Sequence, residues 1–158
     1  MKKYAIAIHG GAGTLVKGLM TEELEAKYKA HLDKALVAGY KVLEEGGSSL
    51  EAVEIAVKEL EDSHLFNAGK GAVFTAEGTH EMDAAIMEGK NLEAGAVSLI
   101  TGIKNPISLA RDVMEKSQHV FLAGDGAMQF ALSAGHKIED PSYFHDDLRY
   151  KQWQEIKG

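Results

Sequence analysis

Hydrophobic spacing changes character several times along this chain, and each change marks an element. From Leu24 the apolar or small positions Tyr28, Leu32, Ala35, Leu36, Gly39 and Leu43 return every three to four residues, the repeat of one helix face. Thr21 stands where an N-cap belongs, Glu22 and Glu23 suit the first turn, and Gly46-Gly47 stop the helix. Ser48 and Glu51 then form a capping box, and Val53, Ala56, Val57 and Leu60 line a second helix. Ahead of both, Tyr4 to Ile8 reads as a central buried strand.

Past Leu60 the helical period ends in a polar, glycine-rich loop around Asn67, Gly69 and Gly71. Alternation follows: Ala72 to Thr75, His80 to Met87 and Leu92 to Ile100 read as three strands on short turns, an antiparallel meander. Asn105-Pro106 opens a third helix, with proline at its first position. His119 to Ala123 reads as a strand, and Asp125 is positioned to cap a helix ending at Gly135. A last helix is expected around Asp146 to Gln154, with residues 151–158 as a flexible end. The fold class expected is α/β, of the α+β type: a single domain over residues 1–158 with sheet layers covered by helices. Several strands are apolar on both faces, so their sheet should be sandwiched, and a chain of this length does not supply both covers. The chain by itself is expected to aggregate or fold poorly.

Composition narrows the functional classes. With 158 residues, of which 45% are hydrophobic, the chain can bury a core. A net charge of -7 and no basic stripe argue against binding nucleic acid or an anionic membrane. Without cysteine there is no disulfide, thiolate nucleophile or cysteine metal site. The apolar run after Lys3 is too short for a signal peptide, and no stretch approaches the ~20 apolar residues of a membrane span. A cytoplasmic protein is expected.

Candidate chemistry is sparse when judged by spacing. His9-Gly10-Gly11-Ala12-Gly13 leaves backbone N–H groups open to a ligand or a neighbouring backbone, although glycine content alone favours a plain tight turn after a strand. An oxyanion-loop reading would need G-x-S-x-G, and a phosphate cradle G-x-G-x-x-G or G-x-x-x-x-G-K-[ST]; none of these occurs. Strand alternation places Glu81 and Asp83 on one face and His80 on the other. That carboxylate pair could hold a cation or serve as acid and base, but it more often takes backbone or arginine partners. The seven histidines show no zinc-ligand spacing.

Five segments in order carry a sharper signal: His9 to Gly13, Leu65 to Val73, Glu81-Met82-Asp83-Ala84, Met87-Glu88-Gly89 and Asn105-Pro106. Together they resemble the plant-type L-asparaginases, or isoaspartyl peptidases. The resemblance covers the first half of that family's precursor and implies an αββα sandwich of the N-terminal nucleophile hydrolases. In that family the precursor cuts itself between a glycine and a threonine. The implied role is then an α subunit ending at Gly158, whose β partner begins with the nucleophilic threonine, in an (αβ)2 assembly. No catalytic residue is expected in this chain. His9, Gly10, Gly11 and Asn67 match active-site support positions. Backbone carbonyls of Leu60, Glu61, Ser63, Phe66, Ala68 and Lys70 match a structural sodium loop. No organic cofactor is implied, and the substrates would be L-asparagine and β-aspartyl dipeptides. The linker before Gly158 is shorter than is usual in the family. Two other readings are a glycosylasparaginase-like amidase and a non-catalytic domain that binds a small ligand or serves as a scaffold.

Overall fold

The computed structural model describes residues 3–11 and 20–157. The chain divides into two compact units, Met1–Leu60 and Glu61–Gly158. In the first unit, α1 (Glu22–Glu44) begins at Thr21, whose hydroxyl accepts the Leu24 N–H at 3.1 Å. It stops before Gly46, which takes φ +89. The Ser48 amide donates to the Glu51 carboxylate at 2.7 Å and the Glu51 amide to the Ser48 hydroxyl at 3.1 Å, which opens α2 (Ser49–Glu61) with the expected capping box. The two helices approach closely at Gly39. A Cβ there would lie 2.7 Å from the Ala52 carbonyl and 2.6 Å from Ile6 Cδ1. Glycine lets the backbones touch, and Ala52 and Ala56 are buried at the contact.

Residues 4–8 do not form the expected central strand. No strand among the described residues pairs with them, and Ile6 instead packs on Gly39 while Tyr4 meets Tyr40 edge-on at 5.3 Å. An apolar alternating segment becomes a strand only when a neighbour completes its ladder.

The second unit holds a three-stranded sheet in the order β1 (Met82–Glu88), β2 (Glu93–Ile100), β3 (Phe121–Ala123). β1 and β2 are antiparallel, as expected. β3 lies parallel to β2 and is reached through α3 (Pro106–Lys116), so the meander is cut short and a crossover takes its place. The missing first strand is Ala72 to Thr75. The Asn67 side chain accepts the Val73 N–H at 2.9 Å, and Thr75 and Thr79 close a tight turn on each other, so the amides a ladder would use are already bonded.

Gly95 brings β2 against α3: a Cβ there would meet the Ala110 carbonyl at 2.1 Å. Val97, Ile86, Ile100, Ala110 and Val113 are buried on this side. Strict alternation would turn Ile100 away from the core. A bulge opposite Asp83 prevents this, since Met82 pairs with Ile100 but Ala84 pairs with Val97, leaving two residues, Ser98 and Leu99, against one. Leu99 takes φ 53 at the bulge. The other sheet face carries Asp83, Ala85, Met87, Ala96, Ser98 and Phe121. Met87 and Phe121 are more than half exposed there, so among the described residues of this unit that face of the sheet lacks the second cover its two-sided apolar pattern calls for.

Beyond β3, α4 (Gly124–Ser133) starts at Ala123 with no side-chain cap; Asp125 lies in its first turn and does not cap it. α5 (Asp147–Lys157) runs three residues past its expected end. Asp146 caps it by accepting the Arg149 N–H at 3.0 Å. The architecture is mixed α/β, the class expected.

Candidate functional site

The predicted support residues fall in both units. In the first, His9 Nδ1 accepts the Gly11 N–H at 3.1 Å, closing a short turn in which Gly11 takes φ +94. A Cβ on Gly11 would meet nothing among the described residues. Among the described residues the turn is thus uncrowded, as its glycines permit. Ala12, Gly13 and Gly158 lie outside the described residues.

In the second unit, Glu61, Ser63, Phe66, Asn67, Ala68 and Lys70 are brought into one curled loop that ends in a 3-10 turn, Gly69–Gly71. Leu60 is the last residue before this unit, in the final turn of α2. Glycine makes the curl possible. Gly69 takes φ +51, and a Cβ on it would stand 2.4 Å from the Glu61 carbonyl oxygen; on Gly71 it would stand 2.2 Å from the Phe66 oxygen and 2.8 Å from the His64 oxygen. Carbonyl oxygens thus crowd towards two glycines. Asn67 braces the curl through its bond to the Val73 amide.

Side chains fasten the loop to its surroundings, and spacing does not reveal these bonds. Glu61, only 2% exposed, accepts the Ile107 N–H at 2.9 Å in the first turn of α3. Asn105, the N-cap of α3, makes no side-chain cap bond, so a carboxylate from 46 residues upstream satisfies an amide at that end and complements the helix dipole. Asp62 accepts from Asn105 Nδ2 at 3.0 Å and pairs with Lys104 at 3.4 Å. The Tyr143 hydroxyl reaches Asp62 at 3.5 Å. Burial, and then the nearby Asp62 and Glu139 charges, push the Tyr143 phenol up to about 12, so it stays a neutral donor. The Arg149 guanidinium donates to the Leu65 carbonyl at 3.5 Å. The one signal that could have pointed to Glu61 is an acidic residue ending a helix, where the dipole disfavours it unless a second helix claims it.

Asp83 and Glu81 do not form an acid–base pair. Asp83 accepts the Ser98 hydroxyl at 2.5 Å and the Leu99 amide at 3.0 Å, holding the bulge. Those two bonds keep its carboxyl below the usual range. Glu81 is exposed just ahead of β1. His80 is half-buried, its ring 4.2 Å from that of Phe74 and its Nδ1 3.2 Å from the Val73 carbonyl. No helix among the described residues is long and apolar enough to cross a membrane.

The sequence is matched by relatives across nearly the whole chain. Residues 2–158 match a family model described as asparaginase (Asparaginase_2). A plant-type L-asparaginase of Pyrococcus abyssi is 54% identical over 153 residues, 97% of this chain and 48% of that protein. An isoaspartyl peptidase of Salmonella typhimurium is 46% identical over 96% of this chain and 49% of its own length. An isoaspartyl peptidase/L-asparaginase of Xenopus laevis is 53% identical over 84% of this chain and 41% of its own. The chain spans about half the length of these relatives. With its ordered motif segments and glycine-curled loop, and a family match from residue 2 to residue 158, the chain belongs to the asparaginase family.

Proposed function

We propose that this chain is the α subunit of an amidohydrolase that deamidates L-asparagine and cleaves β-aspartyl dipeptides. The observation that carries the reading is the identity of about half or more, across nearly the whole chain, to proteins named for both activities. In this reading the precursor cleaves itself after Gly158 and frees a threonine at the start of the β chain. The threonine hydroxyl attacks the substrate's side-chain carbonyl while its own α-amine takes the proton. Ammonia or the peptide amine leaves, and water then releases aspartate from the acyl enzyme. His9, Gly10, Gly11 and Asn67 support the site wall, and two αβ pairs associate as (αβ)2.

A sodium ion belongs to the same reading. The donor set fits it in kind: a hard cation takes oxygen ligands, and in this curl the Glu61 oxygen faces Gly69 while the Phe66 oxygen faces Gly71, where a Cβ would displace them. Carbonyls of Leu60, Glu61, Ser63, Phe66, Ala68 and Lys70 would hold the ion, which would supply structural rigidity and take no part in bond making. A cytoplasmic setting is included, supported by a chain without cysteine.

The full-length protein tests the proposal through intact masses, N-terminal sequencing, and the release of ammonia or aspartate from L-asparagine and a β-aspartyl dipeptide. A second chain beginning with threonine, together with turnover of either substrate, is the expected result. An uncleaved chain with no turnover would sink it.

A further inference from the structure

The Leu65 peptide is fastened at both ends. Its N–H donates to the Ser63 hydroxyl at 3.2 Å, and its carbonyl accepts from Arg149 Nη2 at 3.5 Å. Ser63 is 2% exposed, so the first bond is sheltered from water. Leu65 is also a gap in the set of carbonyls assigned to the ion, which passes from Ser63 to Phe66. The next carbonyl, of Phe66, accepts the Ala68 N–H at 2.9 Å and faces Gly71. Arg149 thus holds the Leu65 oxygen, on the segment that leads into the Phe66 carbonyl.

Arg149 is at the same time an integral part of α5. Its backbone amide is the one capped by Asp146, and its Nη1 donates to Gln152 Oε1 at 3.2 Å, one turn along the helix. α5 has a second anchorage independent of Arg149. Trp153 lies against Gly78, where a Cβ would meet the ring at 2.9 Å, and the Phe74 ring is 5.7 Å from that of Trp153 and 5.8 Å from that of Tyr150. Loss of the arginine side chain therefore leaves α5 docked.

We infer that Arg149 is a positioning residue that couples the carbonyl loop to α5, so that a sodium ion held by the loop and the order of α5 stabilise each other. The inference rests on the sodium reading above. Coupling of this kind is reciprocal: whatever α5 gains from the ion, the ion gains from α5. A guanidinium can engage a carbonyl and a side-chain amide through separate nitrogens in one plane, which a lysine ammonium does not reproduce.

The test is hydrogen exchange on the full-length protein in sodium chloride and in choline chloride at equal ionic strength, following peptides that cover residues 61–71 and 147–157. Sodium is expected to slow exchange in both segments, by about fivefold or more at saturation. In Arg149→Ala and Arg149→Lys the loop should still respond, at higher sodium, while the sodium-dependent difference in α5 disappears. A purely structural arginine would speed exchange in α5 equally in both salts, which overturns the inference. Protection of the loop alone in the unsubstituted protein also overturns it and leaves the sodium reading standing. Protection of neither segment overturns both.

Discussion

The two units are held by different kinds of bond. In the first, the polar contacts among the described residues are mostly local: Lys27–Glu23, Lys29–Glu25 and Lys41–Glu45 pair one turn apart, and the Ser48–Glu51 box spans three residues. In the second, the contacts around the loop join residues 43, 46, 81 and 84 positions apart. Local pairs are exposed and screened, and each adds a few tenths of a kcal/mol to a helix that capping and packing already specify. Long-range bonds from a buried carboxylate decide how separate elements meet. The candidate ion loop is built in the second way, so its shape is a property of α3, α5 and the 3-10 turn at Pro141–Phe144 as much as of its own sequence.

Substitutions in the full-length protein, measured by urea denaturation, can break or sharpen this contrast. The largest effect is expected from Gly95→Val, whose side chain has no room beneath the Ala110 carbonyl; a loss of about 3 kcal/mol, or failure to fold, follows from overpacking. An unchanged midpoint would mean that β2 and α3 are not in close contact. Next is Glu61→Ala, which strips the buried carboxylate from the Ile107 amide, with about 2 kcal/mol lost. If it costs no more than an exposed helix pair, the distinction between the units collapses.

Asp83→Asn should cost about 1 kcal/mol at neutral pH through weaker bonds at the bulge. Its pH dependence has a definite sign. The folded carboxyl titrates below its unfolded value, so its stabilisation is complete above the ordinary aspartate range near ~4 and is lost as pH falls through the lowered folded value. The gap between Asp83 and the asparagine variant should therefore narrow in acid; a constant gap would assign the effect to packing. Lys27→Ala is the smallest, within about 0.5 kcal/mol, and a larger loss would show that a local surface pair matters more than its exposure allows.

Legibility follows the same division. The Thr21 cap, the glycine stop at Gly46, the Ser48–Glu51 box and Pro106 at the start of α3 are local rules, satisfied by neighbours in sequence, and each is present. The expected strand at Ala72 to Thr75 is absent because Asn67, Thr79 and His80 bond its backbone first. Ile100 is buried through a bulge that alternation alone does not foresee. The motif segments led to the family and to the glycine loop, yet no spacing pointed to Glu61 as a cap or to Arg149 as a brace. By itself, then, the sequence determined the starts of α1, α2 and α3 and which faces are apolar, because those depend on periodicity and on residues a few positions apart, while its ordered motif segments marked the family the chain resembles. Only the tertiary structure decided which carbonyls the loop presents, which carboxylates are bound to backbone amides, and which face of the sheet stays open, because each depends on groups brought together from distant parts of the chain.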